Sequence, residues 1–406
     1  MIKKTVSILR RCYIFFRYLV YRYVLKRYYA NYKLAKGLTI EKVFSQKETL
    51  FGYYNLSPEN KKGEVLGCDF TKKPIVDILL KQNGTTSIIG QTQAFNYQQG
   101  SMLQWSFKED NLLYYNSFNK ERKDYECICY DTEKHCCADT LPKPVCCISR
   151  DGRYALSLNF ERLAIMRPDY GYFCNEGGDL PGMQDDGIWK IDFQTKKVRL
   201  IITLKQLKEY NYVDTMEGAE HKVNHIDISP NGNRFMFLHR WVGPKGRFMR
   251  LITADENGEN LYILNGDKMT SHSCWYDNSR IISFCYTSEY GNAYTSFIDQ
   301  TKQKELLSAD LPTEDGHPSV SPDKKWLITD SYPGLHRMST LYLYNFESKS
   351  VFAIGRFYQP IKYTGTERID LHPKWNLSGD KIYFESGHNG FRNLYCLHID
   401  KMTHEE

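Results

Sequence analysis

The sequence predicts an all-β protein, a seven-bladed β-propeller of four-stranded blades, preceded by a basic, amphipathic N-terminal helix. Three stretches repeat a short strand, a Ser-Pro-Asn-Gly type of turn and a second apolar strand, and they begin at His225, His317 and His372. A fourth copy, from His272, is one residue shorter. Successive starts are 47, 45 and 55 residues apart. This period is too long for a single hairpin and suits a four-stranded propeller blade.

The composition supports strands throughout the body of the chain. The protein contains 31 Tyr and 21 Phe among 406 residues, and aromatic and β-branched residues favour strands. No long Ala-, Leu-, Glu- and Lys-rich helical pattern follows residue 40. Because individual blades are unstable alone, the repeats predict one large domain over residues 41–406 rather than several small ones.

Weaker copies of the hairpin extend the pattern towards the N-terminus. They begin at Cys146, Met102 and Tyr54, so that seven inner hairpins start near residues 54, 102, 146, 225, 272, 317 and 372. Six or eight blades are the alternatives. The last unit has a single outer strand, residues 393–400, and we expect residues 49–51 to supply its fourth strand and close the ring.

The third blade carries two insertions. Residues 161–187 show no strand pattern and predict a long loop, whereas residues 204–210 predict a short helix. Loops of this length in compact folds tend to be functional or disordered.

The N-terminal segment, residues 1–40, differs in charge from the rest of the chain. It contains ten Lys or Arg and no Asp or Glu, which leaves 44 basic and 48 acidic residues in the remainder. The basic charge therefore belongs to this segment, and a nucleic-acid partner is not indicated for the propeller. Arg17 and Arg22 interrupt the apolar residues, so residues 1–36 predict a helix lying on an anionic membrane surface rather than a span. A helix packed on the propeller, or a tail that docks a partner protein, is the alternative.

The twelve cysteines indicate the cellular compartment. Two adjacent pairs occur, Cys136-Cys137 and Cys146-Cys147, and no Cys-x-x-Cys pair is present. A structural zinc site and a regular disulfide framework are therefore poorly supported, and a reducing, cytoplasmic location is favoured. Together with the basic segment, this predicts a peripheral position on the inner face of the cytoplasmic membrane.

The geometry of a propeller predicts where the histidines lie. The first strand of each blade begins at one face and lines the central channel, so the four repeated histidines should surround the channel mouth on that face. Imidazoles beside arginines suit a divalent metal or a ligand that carries carboxylates. Histidines that only hydrogen-bond within or between blades are the alternative. The arginines that we expect nearby are Arg240, Arg247, Arg250 and Arg368.

Two further features suit a sugar ligand. Gln98 and Gln99 enter the second blade beside aromatic residues, where amides can bind sugar hydroxyls, although a loop of internally bonded amides is the alternative. Tyr332 follows the second strand of a later blade and belongs to the same predicted mouth. A serine-nucleophile motif, a phosphate-binding glycine loop and a dinucleotide fingerprint are absent from the sequence.

The repeats resemble a known family. The His-x-x-x-Ser-Pro-Asp-Gly pattern, with His317-Pro-Ser and Asp370-Leu-His372-Pro, resembles the oligogalacturonate lyases over residues 90–400. Those proteins are cytosolic seven-bladed propellers that cleave unsaturated digalacturonate by β-elimination with a manganese-type ion. The N-terminal segment lies outside the resemblance.

The resemblance implies a role for each matched residue. His317 and His372 would be metal ligands, His272 would be the base, and Arg250 or Arg247 would stabilise the enolate charge. The ligand stretch of the family reads Gln-x-x-His-x-His. Here Ile369 and Lys374 replace two expected ligands of the manganese-type ion. Asp370 is the candidate to replace one of these ligands.

Two hypotheses follow from these features. The first is a polysaccharide lyase-like enzyme that binds or cleaves an acidic, uronate-containing saccharide. The substrate contacts that we expect are His225, Arg240, Arg368, Gln98, Gln99 and Tyr332. The second is a non-catalytic propeller that binds a glycan or a protein at the membrane surface, in bacterial surface-polysaccharide synthesis.

Overall fold

A computed structural model describes residues 2–25, 30–175 and 179–399 and contains seven antiparallel blades arranged as a propeller ring. The predicted fold class and the number of blades are thus confirmed. Strands of the first three blades, from the innermost strand outwards, are Thr49–Leu50, Val65–Asp69, Val76–Gln82 and Thr85–Thr92; Gln104–Trp105, Leu112–Asn119, Asp124–Asp131 and Cys136–Leu141; and Cys147–Ile148, Tyr154–Ser157, Gly187–Asp192 and Val198–Thr203.

The remaining blades follow the same order along the chain. Their strands are Glu220–Ile228, Arg234–Gly243, Gly246–Asp255 and Tyr262–Asn265 in blade 4; Thr270–Trp275, Arg280–Thr287, Gly291–Ile298 and Lys304–Leu306 in blade 5; Ser319–Val320, Trp326–Asp330, Met338–Asn345 and Val351–Tyr358 in blade 6; and Lys374–Trp375, Lys381–Ser386, Asn393–His398 and Thr39–Lys42 in blade 7.

Local sequence explains the inner hairpin of each blade. In blade 4, Gly232 has φ +74°, a left-handed conformation that glycine adopts without a steric penalty, and its N–H donates to the Ser229 carbonyl at 2.9 Å. Apolar side chains on the strands then pack between neighbouring blades. Phe235 and Ile252 of blade 4 belong to one core cluster with Leu156 and Ile188 of blade 3.

The ring closes through a strand that the sequence interpretation did not identify. Thr39–Lys42 pairs antiparallel with Asn393–His398 as the outer strand of blade 7. The prediction that residues 49–51 close the ring was wrong, because Thr49–Leu50 pairs with Val65–Asp69 as the innermost strand of blade 1. The closing strand is short and mostly exposed, so it lacks the apolar run that marked the other strands.

The N-terminal segment is partly helix and partly propeller. An α-helix, Ile2–Leu19, continues as a wider helical turn, Val20–Val24. Tyr32–Leu34 then pairs with Val351–Tyr358 and adds a fifth strand to blade 6. The expected boundary at residue 40 therefore falls inside the closing strand.

The insertions of blade 3 contain more structure than predicted. Residues 161–187 were expected to form a loop, but they include most of a helix, Phe160–Met166, and a turn of 3-10 helix, Pro168–Tyr170. Asn159 caps this helix by accepting from the backbone N–H groups of its first turn. The second predicted helix is confirmed as Leu204–Glu209. Two further short 3-10 helices are Asp214–Met216 and Gly365–Glu367.

Candidate functional site

Four histidines meet at the channel mouth on one face of the ring. We call this the histidine face, the face at which the inner strands begin and the second and outer strands end. His225, His272, His317 and His372 come from blades 4 to 7. Their ring centroids lie 5.5 Å, 4.0 Å and 4.3 Å apart between successive members. The structure thus brings together the four histidines that the repeat singled out.

Local irregularities aim these side chains into the channel. The pairing register shifts between Asn224 and Asp227 in blade 4, and between Thr270 and Ser273 in blade 5. β-bulges of this kind turn a side chain away from its regular direction. His225 and His372 also adopt left-handed backbones, with φ +54° and +44°. Histidine is among the residues that tolerate this region, which is common at functional sites.

Carboxylates orient two of the imidazoles. Asp330 Oδ1 lies 2.9 Å from His317 Nδ1, and its Oδ2 accepts from the backbone N–H of His372 at 3.2 Å. Asp315 Oδ1 lies 3.1 Å from His272 Nδ1. A carboxylate on Nδ1 fixes the ring and directs Nε2 towards the opposite side. In both histidines Nε2 therefore points away from its carboxylate and towards the channel.

Several buried polar atoms of the ring have no hydrogen-bond partner within the described chain. These atoms are His272 Nε2, His317 Nε2, both ring nitrogens of His372 and Asp370 Oδ1. Candidate ligand atoms of His317, Asp370 and His372 lie within 4.8 Å of one another. Imidazole nitrogens and a carboxylate oxygen are suitable donors for a divalent transition-metal ion. The three residues therefore fit such an ion.

The two replaced positions have different environments. Ile369 is fully buried, and its hydrocarbon side chain offers no donor atom. Lys374 donates from Nζ to the Gly52 carbonyl at 2.7 Å and to Glu385 Oε1 at 3.2 Å. This buried ion pair occupies the place where the resemblance expects an imidazole. Asp370 is thus the carboxylate available to complete the set.

Burial and neighbouring charges change the protonation of the ring. Burial, strengthened by the nearby charge of His317, lowers the pKa of His272 to about 4. Burial also lowers the pKa of His372 well below its usual value. For His317 burial acts downwards, but the charge and hydrogen bond of Asp330 outweigh it and raise the pKa. His272 and His372 are therefore neutral at physiological pH.

Sequence reasoning missed a tyrosine at the centre of the ring. Tyr53 contacts all four histidines, with centroids 5.3 Å from His225 and 5.4 Å from His372. Its hydroxyl lies 2.8 Å from His225 Nδ1. Tyr53 precedes Ser57-Pro58 by four residues, as His225 precedes Ser229-Pro230. This shared register was the available signal, because Tyr53 is the blade 1 counterpart of the histidines.

The first insertion of blade 3 covers the mouth. Tyr170 is fully buried, and its ring lies edge-on to His225 at 4.9 Å. Arg368 connects this cover to the site, since it contacts Asp169 at 2.6 Å and Asp370 at 2.8 Å. The ring is thus enclosed by tyrosines and a charged latch that consists of Asp169, Arg368 and Asp370.

A cationic groove opens beside the ring. It has a volume of about 540 Å³, and its charged residues include Arg167, Lys222, Arg240 and Arg247. Burial, followed by the charges of the three arginines, lowers the pKa of Lys222 to about 8. Burial and Arg167 lower the pKa of Arg240 to about 10. A group of four cations beside one exposed carboxylate suits an anionic ligand.

The groove also has an apolar wall and an incompletely bonded cation. Trp241 and Phe248 line it together with Met166. Arg240 is largely buried, and its Nε has no hydrogen-bond partner among the described residues. One carboxylate, Glu220, lines the groove and is mostly exposed. An aromatic wall beside cations suits the face of a sugar ring that carries carboxylates.

Not every predicted residue joins the ring or the groove. Arg250 is buried and donates to His239 Nδ1 at 3.2 Å and to the Leu207 carbonyl at 2.6 Å. Its guanidinium therefore makes structural hydrogen bonds within the protein and does not line the groove. Gln98 donates to the Arg368 carbonyl at 3.1 Å, which places it behind the charged latch rather than in the groove. Gln99 lines a small cavity with Tyr53.

Tyr332 lies at the ring itself. Its aromatic ring is 5.7 Å from that of His317, and the Arg368 guanidinium lies 6.0 Å from its centre. Burial, followed by the charge of Asp370, raises the pKa of Tyr332 well above its usual value. The hydroxyl of this half-buried tyrosine therefore stays protonated at physiological pH.

Solved structures with a similar architecture are known. An oligogalacturonate lyase from Vibrio parahaemolyticus superposes with a TM-score of 0.64 at 14% identity, covering 92% of this chain and 97% of its own. The chain has the fold of that lyase. An oligogalacturonate lyase in complex with manganese gives a TM-score of 0.63 at 14% identity, covering 92% of this chain and 99% of its own.

Other β-propellers are less similar in structure. The β-propeller domain of Cps50 (Swd1) from Myceliophteria thermophila gives a TM-score of 0.50 at 12% identity, covering 87% of this chain and 98% of its own. No family model and no curated protein sequence matches the chain. The predicted resemblance to the oligogalacturonate lyases is thus supported at the level of the fold.

Proposed function

We propose that the histidine face binds a uronate-containing oligosaccharide and cleaves it by β-elimination. One observation carries this proposal: unpartnered nitrogen and oxygen atoms of His272, His317, Asp370 and His372 converge in the channel mouth. Arg240 of the cationic groove lies close enough to this ring for its charge to lower the pKa of His225. β-Elimination from a uronate requires a base at the carbon next to the carboxylate and positive charge on that carboxylate. The two parts of the site supply these groups side by side.

The cationic groove is suited to hold the substrate carboxylates. Arg240 and Lys222 are largely buried, so charge-assisted hydrogen bonds to a carboxylate are strong there. Arg247 lines the groove and is exposed, which makes it available to a ligand that enters from solvent. Of the two arginines that the resemblance implies for the enolate, Arg247 is therefore the candidate.

His272 is suited to act as the base. Its Nδ1 faces Asp315, so the tautomer with the proton on Nδ1 leaves a lone pair on the unpartnered Nε2. In the elimination, Nε2 takes the proton from the carbon next to the carboxylate. The electron pair of that C–H bond forms a double bond, and the C–O bond at the next carbon breaks with its electrons leaving on oxygen. The departing oxygen takes up a proton from water and His272 returns its proton to water, so the products are an unsaturated uronate and a saccharide hydroxyl.

His317, Asp370 and His372 would hold a divalent ion. When bound, such an ion draws electron density from the substrate carboxylate and makes the neighbouring C–H bond more acidic. Asp330 orients His317 for this purpose and fixes the backbone of His372. The manganese complex of a lyase with the same fold supports the choice of a manganese-type ion.

A non-catalytic binding role is the second candidate. Tyr53 and Tyr170 fill the centre and the cover of the ring, and His272, His317 and His372 are nearly inaccessible. If the tyrosines stay in place when a glycan binds in the groove, the glycan does not reach the histidines and is not cleaved. The expected part in bacterial surface-polysaccharide synthesis belongs to this second candidate, whereas a position at a membrane surface is compatible with both candidates.

Metal analysis together with turnover separates the two candidates. The purified full chain is incubated with manganese and dialysed to remove unbound ion. The amount of bound manganese per chain is then measured by elemental mass spectrometry. We expect about one ion per chain and conversion of unsaturated digalacturonate. His372→Ala should lose the ion, whereas His272→Ala should keep the ion and lose turnover, by at least about a hundredfold.

The matched control is His135→Ala, because His135 is an exposed histidine in blade 2. This variant should retain both the ion and the activity. If the wild-type chain binds uronate but neither holds manganese nor converts the substrate, the lyase proposal is wrong and the binding role stands. If His272→Ala and His372→Ala also leave uronate binding unchanged, the histidine ring has no part in the site.

A further inference from the structure

The described side chains at the C-terminal end of the N-terminal helix attach it to the propeller. The Tyr18 hydroxyl lies 2.7 Å from the Tyr358 hydroxyl, and both Tyr18 and Arg22 are largely buried. Arg22 Nη2 donates to Asn31 Oδ1 at 2.9 Å, and its guanidinium lies 4.3 Å from the centre of the Tyr358 ring. These two residues, one helical turn apart, fix the C-terminal end of the helix to blade 6.

The preceding turn of the helix has an apolar surface on all sides. Tyr13, Ile14, Phe15 and Phe16 are consecutive and are 58%, 43%, 48% and 64% exposed. Because each residue of an α-helix is rotated by about 100° from the last, four consecutive side chains cover most of the circumference. An apolar, aromatic turn within a helix rich in Lys and Arg is typical of a helix that lies at a membrane interface. Here this surface faces solvent.

The charge of the segment selects the kind of partner. Residues 1–40 contain ten basic residues and no acidic residue. An anionic bilayer surface offers phosphates for the cations and an acyl boundary for the aromatic side chains. A second copy of the helix would bring like charges together, which opposes association. No helix among the described residues is long and apolar enough to cross a membrane.

The attachment also determines which side of the propeller faces the partner. Strands alternate in direction, so the outer strand of blade 6, Val351–Tyr358, ends at the histidine face. Tyr358 is the last residue of that strand, and its backbone N–H donates to the Asn31 carbonyl at 2.8 Å. The helix therefore joins the propeller at the rim of the histidine face.

We propose that residues 2–25 form an anchor for an anionic lipid bilayer and that this anchor holds the histidine face next to the membrane. The tyrosine and arginine contacts fix the base of the helix, and the exposed aromatic turn enters the headgroup region. This inference is independent of whether the site is a lyase, because it rests on the helix and on blade 6 alone.

Vesicle co-sedimentation of the full chain tests the anchor. Wild-type protein should sediment with vesicles of phosphatidylcholine that contain phosphatidylglycerol, and at least about tenfold less with phosphatidylcholine alone. Phe15→Ser combined with Phe16→Ser should weaken binding to the anionic vesicles by at least about tenfold. The matched control combines Phe352→Ser with Ile88→Ser, which removes two exposed apolar side chains from outer strands of the propeller, away from the histidine face, and should bind as wild type does.

Equal sedimentation of the double variant and the wild type would overturn the anchor. So would concentration-dependent dimerisation that the double variant abolishes, since the apolar turn would then serve a second copy. Circular dichroism and the melting temperature confirm that each variant is folded. A partner protein in place of lipid is indicated if wild-type chain fails to sediment with either kind of vesicle, and this also overturns the proposal.

Native cysteines report the orientation. Cys12 is exposed on the helix, whereas Cys136 and Cys137 are exposed at the start of the outer strand of blade 2, on the face opposite the histidines. Anionic vesicles should slow maleimide labelling of Cys12 by about tenfold and leave Cys136 and Cys137 unchanged, as measured by peptide mass spectrometry. Protection of Cys136 and Cys137 instead would show that the opposite face lies on the membrane.

Discussion

At the scale of single residues, position in the repeat decides which side chain reaches the channel. Blades 4 to 7 place a histidine shortly before the turn of the inner hairpin, and blade 1 places Tyr53 at the same distance from its Ser-Pro turn as His225 is in blade 4. The sequence pattern identified the histidines because they recur, whereas one tyrosine in the same register is not a repeat. A phenol at the centre gives the ring a neutral hydrogen-bonding group.

The hydroxyl of Tyr53 should contribute to stability. Tyr53→Phe removes its 2.8 Å contact with His225 Nδ1 and leaves a buried ring nitrogen without a partner. We expect the free energy of unfolding to fall by about 1–3 kcal/mol. Urea denaturation followed by fluorescence measures this change. Tyr13→Phe, on the exposed part of the N-terminal helix, should change it by less than about 0.5 kcal/mol.

Lys222 should make anion binding depend on pH. Its pKa is lowered to about 8, so the groove loses a charge as pH rises through that value. Affinity for galacturonate oligomers should therefore be highest below pH 8 and decrease above it, which titration calorimetry measures.

The lowered pKa of Lys222 has the opposite effect on stability, which increases rather than decreases as pH rises. Between about 8 and the ordinary lysine value the unfolded chain holds more protons than the folded chain, so the contribution of Lys222 to stability improves as pH rises. Lys222→Met should remove both dependences. Lys205→Met, on the short helix after blade 3, should retain both, and an unchanged pH profile in Lys222→Met would contradict this role.

At the scale of elements, the strands of the blades were predictable and the closing strand was not. Inner hairpins can be predicted from apolar alternation and turn residues, which are local properties of the sequence. Thr39–Lys42 is an outer strand with one partly buried residue, so its pairing with Asn393–His398 is visible only in three dimensions. The helix Phe160–Met166 was missed because it is only seven residues long.

Residues just before the closing strand should contribute to the propeller core. Leu38 is 7% exposed and packs in one cluster with Leu397 and Phe384 of blade 7. Leu38→Ala should lower the free energy of unfolding by about 2–4 kcal/mol. Leu9→Ala in the same N-terminal segment should have almost no effect, because Leu9 is 64% exposed. If both variants unfold with similar free energies, Leu38 is not part of the propeller core.

At the scale of the whole molecule, the ring combines donors from different blades into one site. His317 comes from blade 6, Asp370 and His372 precede blade 7, and blade 3 supplies the cover. An ion that binds this set links blades 6 and 7. Ligand binding to the folded state alone increases its stability.

Manganese should therefore stabilise the whole propeller. At an ion concentration of about 100 times the dissociation constant the gain is about 2.7 kcal/mol, visible as a rise in melting temperature. Asp370→Asn and His372→Ala should abolish the rise. Glu41→Gln should keep it, although Glu41, Cys396 and His398 form a second candidate cluster at the closing strand. A rise that depends on Glu41 instead would move the ion to that cluster.

The seven blades, the four histidines and their common face could be predicted from the sequence alone, because turn chemistry and strand periodicity act over short distances. Tertiary structure decided the closing strand, Tyr53 in the ring, the buried Lys374–Glu385 pair and the helix on blade 6. These features depend on contacts across most of the chain: the Tyr53–His225 bond joins residues 172 apart, and the Tyr18–Tyr358 bond joins residues 340 apart. Local patterns do not record such contacts, since they form only when the ring closes.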